Sequence, residues 1–456
     1  MPSSILHIKP EDIDSIEKRQ KHTICIIGCG RIGVLHACLS ADTGFKVVGW
    51  DADQVVTKYL ARGRTPFLRR DVQLLLRKHI KNGNLKFTND IKASVSQSNI
   101  VVVTTSVTTD SRKKTNYSDL ERTCKGIGSN LQKDSLVIVT SMVGIGVTDE
   151  LIKETLENTS GFKVGVDLGL AYSPLQVLGK ETLKEIAGHK RIVAAADQKS
   201  LDATSTFLEV IARKGVIRIG DIRTAEAAVL FGAVQNEINF ALANEFALFC
   251  EKVGIDYLKA QRLAEISEYG VLALPMFTYG NIRKAPYLLL EEAENSNARL
   301  RISTIAKEIN EETLKHVISL IRKALRGCGK TLRRAKISLL GVSRTPNMRD
   351  APKESTKMLA KMLKTKGAKI SLYDPYLSSR ELEYLGHPFK KSLKRVVEGV
   401  DCIVILTSHD QFKHLNLRKL KVMTKMPAAI VDLEGIIERE KAEREGFLYL
   451  GLGRGV

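Results

Sequence analysis

The run Gly28-Cys29-Gly30-Arg31-Ile32-Gly33 and the carboxylate of Asp51 have the types and spacing to hold a pyrophosphate and a ribose. Glycine at the first two positions allows a tight turn and a close approach of backbone to phosphate oxygens. Gly33 lets a helix pack onto the strand before it. The N-terminus of that helix attracts anions, and an acidic residue about 20 positions on accepts from ribose hydroxyls. An acidic residue there favours a free 2′-hydroxyl, and so NAD over NADP. The expected cofactor set is Gly28, Gly30, Arg31, Ile32, Gly33 and Asp51.

That motif needs a strand before it and a helix after it, and both are present. TICII (Thr23 to Ile27) is a short apolar strand, VLHACLSAD reads as helix, and FKVVGWD is a second strand ending at Asp51. Apolar runs then alternate with helical stretches. SNIVVVTTS (98–106), SLVIVTSMV (135–143), KVGVDLGLAYSP (163–174) and KRIVAAAD (190–197) predict a doubly wound parallel sheet reaching about residue 220. A proline-free stretch from Thr224 to Val253, closed by Gly254, predicts a long, mostly buried helix. Its interior polar residues are Gln235, Asn236, Glu237, Asn239, Asn244 and Glu245, a set that points to something polar held against it. RRAKISLLGV, AKISLYDP, VDCIVILTS and AAIVDLEG then build a second, smaller α/β domain. The expected division is a polar N-terminal extension (1–22), an NAD-binding domain (23–220), a helical middle (221–327) and a C-terminal domain (328–456). The basic stretch RKALRGCGKTLRR (322–334) reads as a solvated linker.

Composition limits the partners. At 456 residues, about three domains are expected. The polar start is no secretory signal, and no run is long and apolar enough to span a bilayer. The seven cysteines are scattered, with no CxxC pair, so neither a metal site nor a disulfide framework is expected, and a reduced, cytoplasmic protein fits best. The formal charge of +20 suits an anionic partner. Basic residues spread along the chain and few aromatics speak against nucleic acid.

Longer stretches carry a resemblance. LKFTND (85–90), SMVGIG (141–146), SPLQVLG (173–179), ANEFALFCEKVGID (243–256), LLGVSRTPNMRD (339–350), SLYDPY (371–376), ILTSHDQF (405–412) and GFLYLGLGRG (446–455) occur in order. With them the chain resembles the UDP-glucose/GDP-mannose dehydrogenase family over nearly all its length after residue 22. The resemblance implies an α/β fold of two Rossmann-like doubly wound domains bridged by a long central helix, usually in a homodimer. It implies NAD as cofactor, with Ser141 added to the cofactor set, and a nucleotide sugar or related anionic metabolite as substrate. It also implies oxidation of a primary alcohol to a carboxylate in two steps, through a thiohemiacetal on a cysteine.

The positions matching that chemistry depart from the family together. Asn281 stands where the cysteine is expected and Ala285 where the general-base aspartate is expected. Val229 and Ala233 replace a lysine and an asparagine of the central helix. Met142 replaces a threonine and Leu175 a glutamate, while Thr345 replaces a lysine and Glu434 an arginine. An amide forms no thiohemiacetal, alanine takes no proton, and valine donates no hydrogen bond to an oxyanion. Residues 254 to 327 contain no cysteine that a shifted alignment could recruit. Glu237, Asn281 and Lys284 are the weak catalytic candidates. Asn236 and Arg283 are the substrate-binding ones, with Tyr279 near them; the competing reading pairs Glu237 structurally and leaves the basic residues solvated. His189 and His409 are the histidines considered for acid–base work, and a structural role is the commoner one for each. Two functions follow: an NAD-dependent oxidoreductase making at most one two-electron alcohol–carbonyl step, or a non-catalytic relative that binds NAD or a nucleotide as a regulatory or scaffold subunit.

Overall fold

The structure, a computed structural model, describes the chain except for residues 1–3, 66–69, 110–113, 176–186, 266–271, 278–284, 350–352, 379–381, 383–385 and 456. It forms two compact units, Met1–Ala233 with Tyr287–Ala298, and Val234–Pro286 with Arg299–Val456.

The first unit is built on strands β1 (Thr23–Ile27), β2 (Lys46–Trp50), β3 (Leu85–Thr88) and β4 (Ile100–Val103). A short ribbon, β5 (Thr108–Thr109) with β6 (Thr115–Asn116), follows, and then β7 (Leu136–Val139), β8 (Gly169–Tyr172), β9 (Arg191–Ala195) and β10 (Val216–Ile219). Eight of these form one sheet in the order β10-β9-β8-β7-β4-β1-β2-β3. β4 and β7 are buried along their whole length, which explains their unbroken Val/Ile/Leu composition. The pairings are parallel except β8 with β9, where Ala171 faces Ala195 in an antiparallel register. The expected all-parallel sheet is corrected there, because an apolar run reads the same in either direction. The run 163–174 contributes only four strand residues; Gly165, at φ +85°, turns the chain just before them.

The N-terminal extension is part of this unit. Ile5, Leu6, Ile8 and Ile13 are buried in its main core with Val34, Phe45 and Phe207. Gly169 leaves the room: a Cβ there would lie 2.4 Å from a Leu6 methyl. Arg19 fastens the extension by donating to the carbonyls of Ile13 (2.6 Å), Thr43 (2.9 Å) and Asp14 (3.0 Å).

The central helix runs Ile222–Val253, two residues earlier than its pattern predicts, with Asp221 capping the Thr224 N–H at 2.9 Å. Its first turns belong to the first unit, and the rest, from Val234, to the second. The second unit carries an all-parallel sheet, β12-β11-β13-β14-β15, of β11 (Lys336–Leu340), β12 (Lys369–Tyr373), β13 (Cys402–Ile405), β14 (Ala429–Asp432) and β15 (Leu448–Gly451). The helix Arg301–Gly327 buries Leu314, Val317, Ile321 and Leu325 in one core with Ile337, Leu339, Val404 and Val431 of that sheet. This helix shares its core with the C-terminal strands. The stretch 322–334 is not a linker. Ala324, Leu325, Cys328 and Leu332 are buried, and Arg322, Lys323 and Arg326 are the solvated face of a packed helix. Among the described residues no helix is long and apolar enough to cross a membrane.

Candidate cofactor and nucleotide sites

The glycine loop sits at the carboxyl end of β1, where open α/β sheets bind nucleotides. Gly28 has φ +92°, a left-handed conformation that side chains disfavour. Its carbonyl accepts from the Thr104 hydroxyl of the loop after β4. Gly33 starts the buried face of the helix Arg31–Asp42, and a Cβ there would meet the Gly28 carbonyl at 1.9 Å. Only glycine lets the helix seat this closely. Gly30 is the N-cap, with no side chain capping the helix and open space around the place a Cβ would take. The helix N-terminus directs its first-turn amides and its dipole toward the loop, and a pyrophosphate fits there.

Asp51 follows β2 and is half-buried. One carboxylate oxygen accepts the Cys29 N–H at 2.7 Å, and the other accepts the Asp53 N–H at 2.9 Å. The glycine loop and the acidic residue are thus one bonded assembly, and the remaining lone pairs of Asp51 can accept ribose hydroxyls. Asn89, just after β3, supports it, donating to the Asp51 carbonyl at 2.6 Å and accepting from Thr57 at 2.8 Å. Ser141 is buried, and its hydroxyl donates to the Thr105 carbonyl at 2.7 Å, bracing the loops after β4 and β7 against each other.

Glu226, on the central helix, is a site residue that the motifs of the sequence do not single out. Its side chain is fully buried and accepts the N–H groups of Gly146 (2.6 Å) and Thr148 (3.0 Å). Burial pushes its carboxyl up to about 7, against the lowering pull of those bonds. The available signal was a carboxylate on a helix face otherwise made of Ala, Val and Leu.

Of the catalytic candidates, Glu237 is buried, and Asn310 donates to both its carboxylate (3.2 Å) and its carbonyl (3.0 Å). Asn236, beside it, is exposed. The two therefore do not share a face. Asn244 bonds Asn310 at 2.9 Å and accepts the Met276 N–H at 2.8 Å, pinning the 272–277 segment. Tyr279, Asn281, Arg283 and Lys284 lie outside the described residues. Where the matched family positions are apolar they are largely buried: Val229, Leu175 and Ala285 are at most 7% exposed. All seven cysteines are buried. Burial raises their thiols, Cys38 and Cys124 to about 12.

In the second unit, buried carboxylates organise the loops at the carboxyl end of the sheet. Asp374, after β12, accepts the N–H groups of Val342 (2.8 Å) and Ser343 (2.7 Å). Asp432, ending β14, accepts those of Glu434, Gly435 and Ile437. His409 is fully buried. Its Nδ1 accepts the Asn347 N–H at 2.9 Å, so the ring proton sits on Nε2, facing Ser343 and Asp374. That tautomer cannot take a proton from Ser343, and His409 is structural; His189 is exposed. Lys353 donates to the Leu406 carbonyl at 2.6 Å and lies 3.6 Å from Glu434, which stands where the family has arginine.

A tight glycine turn, a helix N-terminus and an acidic residue just after the next strand define a dinucleotide-binding α/β protein. Residues 22–211 match the NAD binding domain of the UDP-glucose/GDP-mannose dehydrogenase family, 223–312 its central domain and 338–439 its UDP binding domain. The chain belongs to that family of NAD-dependent dehydrogenases acting on CH–OH groups, and its cofactor is NAD. It is 29% identical to the UDP-N-acetyl-D-mannosamine dehydrogenase of Methanocaldococcus jannaschii, over 95% of this chain and 96% of the relative. It is 25% identical to the UDP-glucose 6-dehydrogenase of Rhizobium meliloti, over 94% and 99%. The solved UDP-D-ManNAc dehydrogenase of Pyrococcus horikoshii superposes with a TM-score of 0.85 at 26% identity, covering 95% of this chain and 99% of that one.

Proposed function

We propose that this protein oxidises a CH–OH group of a nucleotide sugar with NAD and stops after one two-electron step. The substrates to try first are those its relatives are named for, UDP-N-acetyl-D-mannosamine and UDP-glucose. In this reading Gly28, Gly30 and the amides of Arg31, Ile32 and Gly33 hold the pyrophosphate. Asp51 takes the adenosine ribose, and Ser141 keeps the neighbouring loop in place. Asn236 and Arg283 contact substrate, Glu237 is the candidate base for the hydroxyl proton, and Asn281 and Lys284 are the other catalytic candidates. NAD supplies the hydride acceptor, a chemistry that needs no protein nucleophile. The reading also has a homodimer working in the cytoplasm.

The observation that carries the single step is the state of the thiols. A four-electron oxidation to a uronate holds its aldehyde on a cysteine, and each of the seven cysteines here is buried with its thiol raised. The test counts NADH against product by mass spectrometry. One NADH per carbonyl product is expected, and two NADH per uronate would overturn the reading. A second reading, a binding subunit without catalysis, is favoured by the burial of Val229, Leu175 and Ala285. It predicts NAD binding by calorimetry with no NADH from any nucleotide sugar.

A further inference from the structure

The second unit contains a cavity of about 610 Å³ at the amino end of its sheet, opposite the end where α/β sheets bind nucleotides. Lys336 opens β11 and Lys369 opens β12, and both line it. Lys364, Lys390 and Arg395 complete a set of five cations around one concavity. All five lie between residues 336 and 395, on separate elements that the fold brings around one hollow. Residues 330–400 carry 17 Lys and Arg against six Asp and Glu.

These cations are uncompensated. Among the described residues none of the five side chains makes an ion pair or a hydrogen bond, and Glu398 is the one carboxylate in the lining. Asp401, next to β13, is already taken by Lys330 at 2.8 Å and the Lys336 N–H at 2.8 Å. The Nδ1 atom of His387, another lining residue, is buried without a partner among the described residues. The five are exposed to solvent, and like charges gathered around one concavity raise the local positive potential and draw anions to it. Lysines serve phosphate as point charges, and Arg395 adds a planar fork. The wall between them is apolar, formed by Ile370, Val396 and Val400 among others. The volume lies within the range of small-molecule sites.

We propose that this cavity binds an organic polyphosphate, such as a nucleoside diphosphate, with its phosphates on the lysines and Arg395 and its organic part against the apolar wall. The site is separate from both the glycine loop of β1 and the carboxyl-end loops of β11 to β14. A concave pocket with no Phe, Tyr or Trp in its lining suits a small molecule rather than a nucleic-acid strand, which would call for stacking platforms.

The test uses the full chain saturated with NAD, so that the glycine loop is occupied. Titration calorimetry with inorganic tripolyphosphate and then ADP is compared between wild type and the double variant Lys369→Glu/Lys390→Glu, whose fold is checked by circular dichroism and by retained NAD affinity. Saturable binding of both probes is expected, weakened at least tenfold in the variant. Hydrogen exchange with ADP bound is expected to slow at residues 366–372 and 386–396. Equal affinity in wild type and variant, or protection only at the glycine loop, would overturn the proposal. So would a single-stranded oligonucleotide that outcompetes tripolyphosphate and is lost in the same variant, because it would make the surface a nucleic-acid site. Should Lys369→Glu/Lys390→Glu fail to fold, Lys364→Gln and Arg395→Gln, each alone, are expected to weaken tripolyphosphate several-fold, and no change in either would count against the site.

Discussion

Glu226 on the central helix accepts the N–H of Gly146 at 2.6 Å, across 80 positions of sequence. The same carboxylate accepts the Thr148 N–H, so one helical side chain fixes the loop that carries Ser141. Burial raises the carboxyl from the ordinary glutamate value of 4.5 to about 7. The folded state therefore binds a proton more tightly than the unfolded state. That contribution is full below pH 4.5 and is lost as pH rises through 7. Glu226→Gln should flatten this fall, which amounts to about 3 kcal/mol at one pKa unit per 1.4 kcal/mol. The check is Tm against pH for both proteins; parallel curves between pH 4.5 and 7 would refute it. Glu226→Ala should destabilise by about 1–3 kcal/mol for each N–H it leaves unpaired.

Gly33→Ala forces a methyl against the Gly28 carbonyl. The helix must back away from the turn, at a cost of about 1–3 kcal/mol in stability, and NAD affinity should fall with it. Asp51→Ala acts differently. It removes the ribose acceptor and the bond to the Cys29 N–H, so NAD should weaken at least tenfold and NADP less. Calorimetry with both cofactors decides, and equal losses would count against the role of Asp51.

Asn244 is 1% exposed and bonds Met276 and Asn310 together. Asn244→Leu removes the three hydrogen bonds this amide makes, an expected loss of about 3 kcal/mol in urea unfolding. A change under about 0.5 kcal/mol would mean that water replaces the amide with no penalty.

Leu242, Phe246, Phe249 and Val253 recur at helical spacing and are 38–59% exposed. A stripe of this kind marks an interaction surface. We expect a homodimer built on it, and Phe246→Glu with Phe249→Glu should give a monomer by light scattering. A wild-type protein that is already monomeric at micromolar concentration would rule this out.

The glycine loop and Asp51 were legible because every step of that site is local: strand, turn, helix, strand within 30 residues of Thr23. Both sheets were legible as apolar runs, but the reversed pairing of β8 with β9 was not, since direction leaves no trace in composition. The buried N-terminal extension was hidden because its four apolar anchors are separated by charges. Glu226 escaped notice for a different reason. Its partners are backbone amides, which no side-chain pattern records. The cavity of cations escaped because five residues drawn from separate elements meet only once β11 and β12 lie side by side.

The burial of every thiol gives the protein an internal clock for opening. In the native state a thiol reagent such as dithionitrobenzoate should find nothing to label. Each reaction event then reports a fluctuation that has exposed core. Cys25, Cys29, Cys38 and Cys124 sit in the first unit and Cys250, Cys328 and Cys402 in the second. Peptide mapping of the labelled chain would therefore time the breathing of each unit separately. NAD should slow the first group, by holding the glycine loop next to Cys29, while the second keeps its own rate.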